Sequence, residues 1–442
     1  MLRERRPSES MELIVPLAAP EATDARRFGP KAANLAMLAR TGLPTPGGFC
    51  VDAQAYRTQL AALGLEPAAR GAFSAAGLQA RRCALEVKLG LMGQPIVPRL
   101  LEPLLAAWRA LMQKPGSRGV VRSSALVEDR FGSSFAGQFE SFLGLESEAD
   151  FLTAVRACWA ALWSTRALRY MATHDLDPAD TAMALLIQPL VHASVSGGGL
   201  SLTAEGGMLL SAASGLGSAI AQGEVVPDQY VLSRDGEISD SRAGRMYRQI
   251  GCTHGRSGVR RSLFSAPCLD AAQAAELGRM LRKAEGVCGM PVEIEWALDD
   301  AGFKLLQARP LHVAPAPVPD EIWLQHPRLS GHPAGIGWGT GRACVVNCEC
   351  ELARVAPGDI LITTVAGPAL SQVLPHVAGV VAELGGSTSH LASLARERGV
   401  PMVLGVLAAT QRIPDGAMVA VDGVAGVVRW MHGGAAERGI TN

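Results

Sequence analysis

Apolar residues along this chain fall into blocks of helical spacing that alternate with short runs of strand character. Residues 30–40 predict a helix: Pro30 suits its first turn, Leu35 and Leu38 share a face, and Gly42 stops it. A Pro- and Gly-rich turn leads into a short strand at 49–51. Residues 67–113 read as Ala- and Leu-rich helices. Residues 120–124 form a strand that enters a polar loop, and 133–138 are rich in Gly and Ser. Across 151–170, Leu152, Val155, Trp159, Leu162 and Trp163 recur at helical spacing and predict one amphipathic helix. Residues 184–191 suit a buried strand, and 196–232 alternate strands with glycine turns. A helix through Leu277, Met280, Leu281 and Ala284 is expected to end near Gly286. Two period-two strands follow, 291–298 and 303–309. The stretch 313–335 is rich in Pro and lacks periodicity, so it reads as a linker. Beyond it, strands are predicted at 342–347, 359–363, 377–383, 401–404 and 417–422, with helices at 368–374 and 389–398. The pattern thus gives a leader (1–11), a large first region (12–312), the linker, a small α/β domain (336–432) and a tail (433–442).

Composition narrows the partners. A length of 442 residues with 48% hydrophobic content supplies two or three folded cores. Lys plus Arg and Asp plus Glu both number 41, and this zero net charge argues against nucleic acid or an anionic membrane as partner. The apolar run at 13–19 is short and broken by Pro16, and no run approaches membrane-spanning length, so a cytoplasmic protein is expected. The nine cysteines are scattered. Cys348 and Cys350 make a C-x-C pair without a second pair at metal-site spacing, and reduced, buried thiols are expected.

The strongest chemical signal is Gly385-Gly386-Ser387-Thr388-Ser389-His390. An apolar strand ends in two glycines and a helix begins at about Ser389, which puts His390 on the first helical turn. Free N–H groups and the positive end of the helix dipole favour an anion there and keep the imidazole neutral and nucleophilic. The glycines would allow a nucleotide close to the backbone, and Thr388 and Ser389 can donate to phosphoryl oxygens. A second signal is the pair of strands flanking Asp299 to Gly302. A three-residue loop, 300–302, with Gly302 left-handed, would set Glu295 opposite Gln307 and Glu293 opposite Arg309 on one face, whereas a four-residue loop would separate them. Taken singly, Lys31 reads as a solvated lysine and Arg122 as half of a structural ion pair.

The run GGSTSHLASLARERGVPMVLG is similar to the phosphohistidine signature of the phosphoenolpyruvate-utilising enzymes, a family that includes phosphoenolpyruvate synthase, pyruvate phosphate dikinase and rifampin phosphotransferase. Four further blocks resemble the family in its order: FGPKAANLAMLARTGLPTPGGFCV, VVRSSALVEDRFGSSFAGQFESFLGL, SGLGSAIAQGEVVPDQYVL and VEIEWALDDAGFKLLQARPL. The resemblance implies an α/β (α+β) architecture, an ATP-grasp nucleotide-binding domain over 12–312 (subdomains about 12–185 and 186–312) and a swivelling β/β/α phosphohistidine domain over 336–432. It implies that Lys31 and Arg122 reach the phosphates of ATP, and that Gly137 and Ser141 lie in the loop that covers them. Gln188 would edge the adenine, Glu295 and Gln307 would hold Mg2+, and Arg309 would contact phosphate. Magnesium is a hard ion that takes oxygen ligands, which agrees with that pair.

His390 would then be phosphorylated by ATP with release of AMP and phosphate, and would pass the group to a small-molecule acceptor. Two alternatives stand beside this: a phosphocarrier that serves a separate acceptor protein, and an ATP-dependent ligase. Ser218 stands where the family usually has Glu after G-L-G, a change expected to reduce or re-tune ATP turnover. Residues after the histidine also depart modestly, at Leu391 and Ser393. No segment of the 442 residues resembles the family's pyruvate-binding barrel or drug-binding domain.

Overall fold

The computed structural model describes residues 12–74, 77–128, 139, 141–173, 176–215, 217–247, 262–263, 267–313 and 321–431. Gly137, the leader, the tail and part of the linker lie outside them. No described helix is long and apolar enough to cross a membrane. The architecture is mixed α/β, in two compact units, Met1–Val191 and His192–Asn442.

The first unit is built on a five-stranded antiparallel sheet in the order Ile14–Pro16, Phe49–Val51, Met183–Pro189, Gly119–Ala125, Ser141–Leu145. The helix Ala25–Arg40 packs against its central strands; it contains one non-helical residue, Gly29. The single helix expected over 151–170 is in fact two, Glu148–Ala161 and Thr165–Thr173. Ser164 makes the break: its hydroxyl accepts from the Ala167 N–H, so a new helix is capped before the old pattern of apolar residues has run out.

Among its described residues, the second unit contains two large sheets besides the two-stranded pairing of Met246–Tyr247 with Ser262–Leu263. The first has six antiparallel strands in the order Gly302–Pro310, Val292–Asp299, Val195–Leu200, Met208–Ser214, Asp228–Leu232, Ile238–Arg242. The helix Ala271–Cys288 packs on it, opened by an Asp270–Gln273 capping box. That helix runs through Gly286 and stops at the left-handed Gly289. The second sheet has eight strands, with Trp338–Val346, Ile360–Thr363, Gly379–Ala382 and Met402–Leu404 parallel at its centre. The segment 368–374, expected as an α-helix, is a 3-10 turn, Pro368–Gln372.

The stretch 313–335 differs from the linker expectation. Arg328–Ser330 pairs with Val427–Trp430, and His332–Pro333 pairs with Met402–Leu404. Leu329 belongs to the same apolar core as Ile360, Val381, Val403 and Val421. Two edge strands too short for a recognisable period are thereby held by long-range pairing. Accordingly the chain divides at Val191/His192, and the small domain packs with 192–313 in one unit. Cys348 and Cys350 also depart from the reduced, buried state expected of them. They are bonded to each other at a turn where Cys350 is exposed, their Cα atoms 5.3 Å apart.

Candidate active site

The hairpin of the six-stranded sheet fixes the acidic and amide side chains. Asp299 pairs with Gly302, so the turn holds two residues, Asp300 and Ala301, rather than three. Gly302 takes a φ of 105°, which a β-carbon would strain. This register alone would set Glu295 opposite Leu306. A bulge between Glu295 and Trp296 shifts it by one, and the pairs become Glu295 with Gln307 and Glu293 with Arg309. The expected pairs exist, therefore, but a tighter turn and a bulge produce them. Glu295 and Gln307 present oxygen donors side by side on one face, the donor chemistry that a magnesium ion shared with phosphates takes.

The same face carries a polar row across the sheet. Gln307, Glu295, Gly198, Ser211, Gln229 and Arg242 are successive cross-strand partners. The loop before His390 lies over this row. Gln229 Nε2 donates to Ser387 Oγ at 3.2 Å, and Ser387 Oγ donates to the Pro333 carbonyl at 2.6 Å. Thr388 sits on Gly198: a β-carbon built there would lie 2.5 Å from Thr388 Cβ. The hydroxyls of Ser211 and Thr388 are buried without a hydrogen-bond partner among the described residues. Such groups are costly unless something completes them.

His390 is the first residue of the helix His390–Arg398 and is half-buried. Ser389 is the N-cap, its Oγ accepting from the Ala392 N–H at 3.3 Å, and Gly399 ends the helix. The glycines before it do not leave open space. Gly385 N–H donates to the Val225 carbonyl at 3.1 Å, and a β-carbon on Gly386 would lie 2.6 Å from Pro227 Cγ. Their close approach is made by the segment 225–227 of the same unit.

Arg309 is buried and engaged by Glu293, with Nε to Oε2 at 3.2 Å and Nη2 to Oε1 at 3.1 Å. Burial pushes the Glu293 carboxyl up, but Arg309 and then Arg396 outweigh it and hold it at about 2.

The first unit gathers a second set. Arg122 lies directly between Ser141 on one neighbouring strand and Leu186 on the other, and Gln188 is two residues further along, so Arg122, Ser141 and Gln188 share one face. Gln188 Nε2 donates to the Gly47 carbonyl at 3.0 Å. Lys31 is buried rather than solvated. Its ammonium donates to the Ser123 carbonyl at 2.8 Å and to Glu128 Oε1 at 3.0 Å, and Glu128 Oε2 accepts from the Ala125 N–H. Ser218 opens a one-turn helix, Ser218–Ala221.

The sequence reading passed over Glu128, Gly198, Ser211, Gln229, Arg242, Ser393 and Arg396 as site components. Of these only Ser393 and Arg396 carried a local sign, an i, i+3 polar pair set among Leu391, Ala392, Leu394 and Ala395 on the histidine helix.

The chain matches two family models: "Pyruvate phosphate dikinase, AMP/ATP-binding domain" over residues 25–323, and "PEP-utilising enzyme, mobile domain" over 355–426. It is 29% identical over 415 residues to a probable phosphoenolpyruvate synthase of Methanothermobacter thermautotrophicus, covering 90% of this chain and 61% of that protein. The phosphoenolpyruvate synthase of Pyrococcus furiosus is 29% identical over 469 residues, covering 92% and 57%. That of Pseudomonas aeruginosa is 30% identical over 449 residues, covering 93% and 57%. The chain thus spans about three fifths of the length of the curated relatives it matches. With the first model alone taking in well over half of its residues, the chain belongs to the family of pyruvate phosphate dikinase and the other phosphoenolpyruvate-utilising enzymes.

Proposed function

We propose that the chain is an ATP-dependent, dikinase-type phosphotransferase in which His390 is the phosphoryl carrier. The observation that carries this reading is the placement of His390 on a capped helix N-terminus, its loop seated on the polar row that holds Glu295 and Gln307. Backbone N–H groups at that terminus favour the phosphoryl group once it is attached. Thr388 contributes a hydroxyl with nothing else to bond among the described residues.

The residues assigned to ATP binding are Lys31, Arg122, Gly137, Ser141, Gln188, Glu295, Gln307 and Arg309. Magnesium would be held by Glu295 and Gln307 and would supply charge neutralisation at the phosphates. The imidazole of His390 bonds to the β-phosphorus, and the oxygen bridging the α- and β-phosphates leaves with AMP. The γ-phosphate departs to water as orthophosphate. Positioned cations and donors do most of the catalytic work in such transfers. The acceptor is a small molecule, and pyruvate, which names the family model, is the first candidate.

The test is a brief incubation with ATP and magnesium, then mass spectrometry under alkaline conditions, in which a histidine phosphoramidate survives. The peptide containing His390 should carry the phosphoryl group, and chromatography should find AMP. His390→Ala should lose the label and still bind ATP. Full turnover in that variant, or ADP as sole nucleotide product, overturns the proposal. Loss of label on adding pyruvate would identify the acceptor.

A further inference from the structure

Glu293 is buried, yet its carboxylate serves three side chains from two directions. Arg309, its cross-strand partner, approaches along the sheet. From the histidine helix, Ser393 Oγ lies 2.9 and 3.1 Å from the two carboxylate oxygens, and Arg396 Nη2 lies 2.8 Å from Oε2. Ser393 is used to capacity. Its hydroxyl has Glu293 and, at 3.3 Å, the Ser389 carbonyl as acceptors, and it accepts from Arg309 Nη2 at 2.5 Å and Arg396 Nη2 at 3.1 Å. Arg396 then extends the chain of contacts to the phosphohistidine loop. Its Nη1 donates to the Ser387 carbonyl at 2.6 Å and to the Ala334 carbonyl at 3.1 Å. A continuous path therefore runs from the strand beside Glu295, through one carboxylate and one guanidinium, to the backbone three residues before His390.

We infer that Glu293, Ser393 and Arg396 form a docking latch that positions His390 over the hairpin for phosphoryl transfer. They are positioning residues, acting through the grip of Arg396 on both Glu293 and the Ser387 carbonyl. The inference rests on the reading of His390 as phosphoryl carrier.

The test uses the full chain and the variants Ser393→Ala, Arg396→Gln and Arg396→Lys. Three quantities are read: the rate of phosphoryl labelling at His390 from ATP and magnesium, ATP affinity by calorimetry, and hydrogen exchange at 385–396 against the parallel strands at 360–363 and 379–382. Losing a hydrogen bond to a charged group should slow labelling by about tenfold in Ser393→Ala and more in Arg396→Gln, with ATP affinity within about twofold of the parent. Exchange at 385–396 should rise while the parallel strands stay protected. Arg396→Lys keeps the charge but not the fork that reaches both Glu293 and the loop, and should fall between. Parental labelling rates and parental exchange in Ser393→Ala and Arg396→Gln overturn the latch. So does a loss of protection spread evenly through the eight-stranded sheet in Ser393→Ala, which would make the residue merely structural. If the parent chain takes no label, the carrier reading fails, and exchange at 385–396 in the variants still decides whether the latch exists.

Discussion

Acidification should destabilise the second unit through a single buried histidine. His332 lies on the short strand His332–Pro333, paired with Leu404, and its Nδ1 is buried without a hydrogen-bond partner among the described residues. The backbone of Gly405 packs against the ring, and Arg245 donates to the Gly405 carbonyl at 2.9 Å. Burial, with the charges of Arg245 and Arg242, lowers the imidazole from 6.5 to about 3. The folded chain therefore keeps His332 neutral at pH values where the unfolded chain binds a proton. A group lowered on folding contributes stability that is fully present above its unfolded value and is lost as pH falls toward the folded one. The loss runs from about pH 6.5 toward pH 3 at ~1.4 kcal/mol per unit, or about 2 kcal/mol between about pH 7 and pH 5. The measurement is urea unfolding at those two pH values and one between, in the parent and in His332→Gln. Contributions that the substitution does not touch are common to both proteins and cancel in the difference. The variant should lose about 2 kcal/mol less than the parent over that range. Parallel pH dependences in the two proteins would refute the argument.

Lys31→Ala should cost about 3–5 kcal/mol in urea unfolding, because Glu128 is left charged and buried with no cation. Lys31→Met combined with Glu128→Gln should recover much of that stability and still bind ATP poorly by calorimetry, which separates the structural role of Lys31 from its proposed role at the phosphates. Gly198→Ala drives a methyl group into Thr388. It should cost about 1–3 kcal/mol and slow labelling of His390 while ATP affinity persists. Glu295→Ala should raise the magnesium concentration needed for AMP release or abolish release outright, and a titration of magnesium at fixed ATP reads this directly.

The sequence by itself determined what depends on neighbours along the chain. Ser389 and Gly399 bracket the histidine helix because a cap and a left-handed stop are local chemistry, and His390 follows from them. The strands Phe49–Val51, Gly119–Ala125, Met183–Pro189 and Ile360–Thr363 were legible for the same reason, each a compact apolar run between turns. Even the facing of Glu295 and Gln307 was within reach, since two strands joined by a short turn have few registers. The turn length and the bulge that compensates for it were not, because either error alone flips every side chain and only the packed sheet selects the pair. The 3-10 turn Pro368–Gln372 and the division at Ser164 show local spacing overruled by chain geometry and by a competing cap. What tertiary structure alone decided was where distant charges meet. Lys31 finds Glu128 across 97 residues, and Glu293 finds Arg396 across 103. Nothing near Arg328–Ser330 or His332–Pro333 marks them as strands, because their hydrogen bonds go to partners 70 to 100 residues away. A buried charge must be paired wherever the chain folds it, and the partner is chosen by the fold, not by the residues beside it.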